Sequence, residues 1–268
     1  MSFTPDCHVE RSRHIPGSTH RNATGFLDFA SLGMTENLFA RLGVYQDDSA
    51  CSAAMNMAID EALLEYATFP SIRFYRWHSP ALSFGYFGRF SDVADHASAR
   101  DVVRRWTGGG IVFHGDDLTY SIVIPVSDAV CNESSMSLYE KIHRALVNAF
   151  NGIGKRAVVA GGVDFRGIAA AMRTAVSASG YNCFANPVRA DVMIDSRKIA
   201  GSAQRRTRRG LLQQGSIQGV ELENGLAERF AEELSTNCEP RSLPKAVHCR
   251  AREIAARKYA TDAWLRKR

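Results

Sequence analysis

Apolar positions recur along this chain with two periods, and they divide it into elements. Across residues 52–67, Ile59, Leu63 and Ala67 form one stripe, with Asp60, Glu61 and Glu65 mostly off it. That spacing predicts an amphipathic helix. Residues 72–77 and 81–86 are short, rich in β-branched and aromatic side chains, and separated by His78-Ser79-Pro80. They read as strand, turn, strand. Across 118–124 the alternation places Leu118, Tyr120, Ile122 and Ile124 on one face, and Pro125 ends the run. A second helix is expected from Ser137, with Glu140 completing a capping box. Its buried stripe is Leu138, Ile142 and Leu146, and Gly152 and Gly154 stop it. Residues 189–194 and 198–203 read as strands joined at Asp195-Ser196, and 210–218 as another strand. Two helices, 225–235 and 244–258, and a turn through Trp264 complete the pattern. Strands grouped with short connections, and helices set beside them, predict an α+β fold: a mixed, mostly antiparallel sheet with packed helices.

Length and composition narrow the class. The chain has 268 residues, 45% apolar and 23% charged, enough to bury a sizeable core. Residues 1–33 are polar and read as a poorly ordered tail, leaving 34–268 as one domain. His8, His14 and His20 in that stretch read as solvated rather than metal-binding. The formal charge of +5 favours acidic partners without choosing among them. Six cysteines, Cys7, Cys51, Cys131, Cys183, Cys238 and Cys249, show no CxxC pair. A disulfide framework or a metal site is therefore not expected. No stretch is apolar enough to span a bilayer and no apolar signal core opens the chain, so a cytoplasmic location is expected.

Two segments far apart carry candidate chemistry. Gly108-Gly109-Gly110 lies between the strand-like 101–105 and 110–113. Without Cβ atoms a ligand can lie on bare peptide, but from three glycines alone a tight hairpin turn is the better reading. Arg104 and Arg105 alternate, so one is expected to face a site and the other solvent. His114 follows four residues after Gly110. The second segment is Arg197-Lys198-Ile199-Ala200-Gly201-Ser202-Ala203-Gln204, a lysine beside a run of small residues. The basic run Arg205-Arg206-Thr207-Arg208-Arg209 reads either as a solvated hairpin tip or as a dock for an acidic protein. No aromatic residue interleaves with these arginines, which argues against nucleic acid.

Together these segments resemble a known family. Arg104-Arg105-x-Thr107-Gly108-Gly109-Gly110-x-Val112-x-His114, with Leu118-Thr119-Tyr120-Ser121 after it, is similar to the signature of the biotin/lipoate protein ligase and octanoyltransferase superfamily. Asn56-Met57-Ala58-x-Asp60-Glu61-Ala62-Leu63 resembles its first helix, and 197–204 its lysine loop. Leu212-Gln213-x-Gly215-Ser216-Ile217 resembles the strand after that loop, and Lys258-Tyr259-x-x-x-x-Trp264 the C-terminal turn. The match runs from about residue 40 to the end.

The resemblance implies the catalytic-domain fold of that superfamily and one of three chemistries. Cys183, followed by Phe184 and 15 residues before Lys198, resembles the Cys-Phe of cysteine-dependent octanoyltransferases. On that reading octanoyl-acyl carrier protein donates to Cys183 as a thioester. A lysine of a lipoyl-domain protein, such as glycine cleavage H protein or a 2-oxoacid dehydrogenase E2, then accepts it. Lys198 assists, Arg104, Arg105, Thr107, Gly108, Gly109, Gly110, His114, Gly201, Ser202 and Ala203 bind substrate, and no cofactor is needed. The alternatives are an ATP- and Mg-dependent lipoate-protein ligase, an octanoyl amidotransferase between lipoyl-domain proteins, or a non-catalytic lipoate-binding protein. The extra C-terminal domain of larger lipoate ligases is expected to be absent. Three departures stand out: Gln214-Gly215 where His-Gly is common, Asp191 where glutamate is common, and Ser196 where glycine is usual.

Overall fold

The computed structural model describes residues 37–161, 187–221 and 225–267. The expected tail, Cys183, and most of the irregular stretch 161–180 lie outside them. Eleven strands and five α-helices are described. In chain order the strands are β1 (Leu42–Gln46), β2 (Ser71–Tyr75), β3 (Ala81–Phe84), β4 (Asp101–Arg104), β5 (Ile111–His114) and β6 (Leu118–Pro125). They continue as β7 (Ala157–Val159), β8 (Val192–Ile194), β9 (Arg197–Thr207), β10 (Gly210–Ile217) and β11 (Cys238–Arg241). The helices are α1 (Ala53–Tyr66), α2 (Ser135–Gly152), α3 (Leu226–Leu234), α4 (Lys245–Ile254) and α5 (Asp262–Leu265).

Eight strands form one sheet in the order β11-β1-β2-β6-β10-β9-β8-β7. Pairing is antiparallel from β2 to β7 and parallel at β2-β1 and β1-β11. This is the α+β, mostly antiparallel arrangement expected from the pattern. The sheet is covered on both faces. On one side α2 and α3 set Leu138, Ile142, Leu146, Phe150, Phe230 and Leu234 against Ile72, Tyr120, Ile122 and Leu211. On the other, α1 and α4 set Met57, Ile59, Leu63 and Ala251 against Tyr75, Val123 and Leu212. Every residue of β10 is therefore buried.

Several expected details change in the fold. The strands either side of His78-Ser79-Pro80 do not pair: β2 joins the large sheet, while β3 starts a second sheet of order β4-β3-β5. Ser134, not Ser137, caps α2, its hydroxyl accepting from Ser137 N at 3.1 Å. Asp60, placed off the apolar stripe by periodicity, is fully buried. The basic run is split. Arg205 and Arg206 belong to β9, and only Arg208-Arg209 form the tip before β10. Among the described residues Cys51, Cys131, Cys238 and Cys249 are free thiols, and no helix is long and apolar enough to cross a membrane.

Candidate active site

The triple glycine is not a hairpin. Because β4 and β5 flank β3 rather than each other, the intervening segment must cross the end of β3. It is pinned there by Arg105 N donating to Phe84 O at 2.8 Å and Tyr86 N to Thr107 O at 2.9 Å. The crossing is so close that a Cβ on Gly85 would lie 2.0 Å from Gly109 O. Gly109 itself has φ +85°, a region side chains rarely adopt.

Of the two arginines, Arg105 reaches the cleft beside this loop. Its guanidinium donates to Ser83 Oγ at 2.7 Å and to the carbonyls of Gly108 and Gly110 at 3.0 and 2.9 Å. Arg104 is not the solvated partner expected from alternation. It is fully buried, donating to the carbonyls of Tyr86, Gly88, Trp264, Leu265 and Lys267. It clamps the chain's last turn onto β4 and does not line the cleft, and neither do Thr107, Gly108 and Gly110. Thr107 supports the loop from below, its hydroxyl donating to Gln214 Oε1 at 2.8 Å.

His114 closes a chain of hydrogen bonds behind Arg105. Its Nε2 lies 2.6 Å from Ser83 Oγ and its Nδ1 2.8 Å from Asp117 Oδ2, and the Trp77 ring stacks on it at 4.0 Å. Burial holds the imidazole below its ordinary pKa despite Asp117. The neutral ring then donates from Nδ1 to Asp117 and accepts from Ser83, whose oxygen accepts from Arg105. Burial opposes the Asp117 charge, yet bonds from His114, Ser216 and Gly115 N hold its pKa below the usual carboxylate range. The donor-acceptor order is thus consistent from Arg105 to Asp117.

The lysine segment forms the opposite wall. Asp195 and Ser196, at φ 47° and 63°, make a two-residue turn between β8 and β9 with both central residues left-handed. A register shift at Val192/Met193 follows. Lys198 folds back over Gly201: a Cβ there would lie 2.6 Å from Lys198 Cε. The ammonium sits 2.7 Å from Asp191 Oδ2, the two side chains 5% and 0% exposed. Asp191 also accepts from Val188 N at 2.7 Å and from the Tyr139 hydroxyl at 2.5 Å. Tyr139 OH in turn accepts from Ser202 N at 3.2 Å, and burial together with Asp191 pushes this phenol's pKa up.

Beneath these groups lies His143. Its Nδ1 is 2.6 Å from Ala190 O, so that nitrogen carries the proton and Nε2 accepts from Ser202 Oγ at 3.0 Å and Tyr120 OH at 3.2 Å. Burial lowers its pKa to about 4. A second buried network reaches the glycine loop from below. Asp60 accepts from Arg73 at 2.7 Å, Tyr75 at 3.1 Å, Ser121 at 2.7 Å and Gln214 Nε2 at 2.7 Å. Gln214, the residue standing where histidine is common, thus bridges Asp60 to Thr107.

Between the two walls is a cleft of about 480 Å³, counting its open mouth. Lys198, Gly201, Ser202 and Ala203 line one side, Arg105, Gly109 and His114 the other, and Met57, Tyr75, Trp77 and Val112 supply apolar surface. Sequence reading missed Ser83, Asp117, Tyr139 and His143. A lone polar residue in a buried strand or on a helix's apolar stripe was the available signal for Ser83 and His143. Among the described residues no group of three His, Cys, Asp or Glu side chains is placed to hold a metal.

Residues 52–248 match the lipoyl protein ligase A/B catalytic domain. The chain belongs to that family. The octanoyltransferase LipM of Anoxybacillus flavithermus is 35% identical over 181 residues, covering 64% of this chain and 63% of that protein. The octanoyltransferase LipM of Staphylococcus epidermidis is 34% identical over 206 residues, covering 72% of each. The chain spans just under two thirds of the length of several such relatives. Solved members share the fold. A lipoate-protein ligase A structure bound with ATP superimposes with a TM-score of 0.64 at 21% identity, covering 85% of this chain and 98% of that one. A bi-partite lipoate protein ligase from Thermoplasma acidophilum gives 0.62 at 20%, covering 85% and 96%. The matched span holds both the glycine loop and the lysine strand that line the cleft.

Proposed function

We propose that this protein is an octanoyltransferase acting in protein lipoylation. It takes octanoate from the thioester of acyl carrier protein and delivers it to a lysine of a lipoyl-domain protein. The observation that carries the reading is the Lys198 ammonium, held by Asp191 and the space over Gly201 in the same partly apolar cleft that Gly109 lines. The similarity to octanoyltransferases at 34–35% identity supports the same reaction class.

In the first step the Cys183 thiolate attacks the octanoyl carbonyl carbon, and the carrier's thiolate leaves and takes up a proton. In the second the neutral acceptor amine attacks the Cys183 thioester, Cys183 thiolate leaves, and the nitrogen loses a proton. Sulfur suits both steps because its thiolate is a good nucleophile and a good leaving group. Lys198 donates a hydrogen bond to the carbonyl oxygen as negative charge develops on it. Met57, Trp77 and Val112 line a path for the acyl chain, each buried methylene contributing about 0.8 kcal/mol.

Intact-mass measurement after mixing with octanoyl-acyl carrier protein tests this. The wild type gains one octanoyl group, Cys183→Ala gains none, and transfer to a lipoyl domain is lost with it. Full transfer by Cys183→Ala, or lipoylation that requires free lipoate and ATP, overturns the proposal in favour of ligase chemistry. Transfer from an octanoylated lipoyl domain alone would assign the amidotransferase reaction instead.

A further inference from the structure

Beside the glycine loop, outside the cleft, three cations and three aromatic rings form a closed set. Arg205 lies over Tyr86 at 4.9 Å and over Trp106 at 5.5 Å. Lys258 Nζ lies over Trp106 at 4.3 Å and over Trp264 at 4.4 Å. Lys267 Nζ lies over Trp264 at 5.1 Å and over Tyr86 at 4.9 Å. Each pair of cations shares one ring, so the three positive charges converge on one patch from three distant parts of the chain.

The charges are not balanced within the set. Glu61 bonds Lys258 at 2.5 Å and Tyr259 OH at 2.6 Å. Lys267 donates to Tyr86 OH at 2.8 Å. Burial lowers the Lys258 pKa, Glu61 opposes that shift, and Arg205 and Lys267 add to it. Arg205 Nε is buried and has no hydrogen-bond partner among the described residues. Among the described residues, three cations against one bonded carboxylate, with an unused guanidinium donor, is an arrangement that an anion would complete. The exposed ring of Phe87 packs edge-on against Tyr86, adding apolar surface at the rim.

The patch also adjoins the cleft. Arg205 is two residues along β9 from Ala203, and Trp106 follows Arg105, both cleft residues. We infer that Arg205, Lys258 and Lys267, on the rings of Tyr86, Trp106 and Trp264, bind the phosphate of a phosphate ester whose remaining length enters the cleft. The inference deepens the proposed function by placing the charged end of the donor, yet it is tested by binding alone.

The test is titration of the full-length protein with 4′-phosphopantetheine, ATP and inorganic phosphate in separate arms, read by isothermal calorimetry. Arg205→Gln and Lys267→Gln are compared with wild type at two salt concentrations, with unfolding midpoints measured on the same samples. Saturable, salt-sensitive binding that weakens about tenfold in each variant supports the site. The arm that binds most tightly identifies whether a carrier's prosthetic arm or a nucleotide supplies the phosphate. Equal affinity in wild type and a normally folded double variant, or saturation in no arm, overturns it. Because no acyl group is transferred, absence of octanoyl transfer would defeat the proposed function and leave this result standing.

Discussion

Lys198 Nζ lies 2.7 Å from Asp191 Oδ2, with neither side chain more than 5% exposed. A charge in that setting is maintained by its partner, since desolvation of either ion alone outweighs what surrounding dipoles return. Asp191→Asn removes a counter-charge from a buried ammonium and weakens the anchor of Tyr139. The expected loss is about 3 kcal/mol in urea unfolding at neutral pH. A change below about 1 kcal/mol would show that the pair contributes little, as exposed pairs do.

Gly201→Ala tests the same buried pair from the side of the lysine. The new Cβ meets the flexible end of Lys198 rather than backbone, so the lysine swings away and the strand persists. Displacing the ammonium breaks the buried pair with Asp191, so we expect a loss of about 3 kcal/mol, similar to that of Asp191→Asn. Acyl transfer falls by roughly 100-fold, the range seen when one oxyanion donor is lost. The same substitution with unchanged kcat would remove Lys198 from the proposed chemistry.

His143 sets an acid limit on stability. In the folded chain its imidazole stays neutral down to about pH 4, while the unfolded chain takes up that proton near the ordinary value of 6.5. The unfolded state therefore binds more protons across this window. Stability is full above about pH 6.5, falls as the pH drops towards 4, and levels off below. The contribution is on the order of 3 kcal/mol. Chemical denaturation between pH 4 and 7.5 should show a smaller slope for His143→Gln than for wild type, and parallel slopes would refute the assignment.

Gln214→Glu replaces the Nε2 donor facing Asp60 with oxygen. Two buried carboxylates then oppose each other, and one must hold a proton. The variant is expected to be less stable than wild type by about 2 kcal/mol at pH 8, with the gap narrowing by pH 5 as the pair shares a proton. Thermal unfolding of both proteins across that range gives the difference directly. A gap that does not move with pH would mean that Gln214 acts only through its volume.

Much of the architecture was legible because its signals are local. The 3.6-residue stripe of α1, the alternation of β6, and the paired left-handed turn at Asp195-Ser196 each depend on a few neighbouring residues. The short strands β1, β7 and β11 were not read from the pattern. Strands of three to five residues at or near a sheet edge are stabilised by distant partners, such as Cys238 beside Leu42. Periodicity set Asp60 mostly off the apolar stripe because it assumes one buried face, whereas α1 packs between the sheet and α4.

By itself the sequence determined an α+β fold, the glycine and lysine segments, and the family they resemble. These follow from turn chemistry, residue size and periodicity, which act over a turn or two of chain. Only the tertiary structure decided that Arg105 faces the cleft while Arg104 clamps the last turn. It alone joined Asp60 to Thr107 through Gln214, and drew Arg205, Lys258 and Lys267 onto three shared rings. The reason is the same in each case: desolvated charge and unpaired donors are satisfied by whatever the fold brings near, and that pairing leaves no periodic trace along the chain.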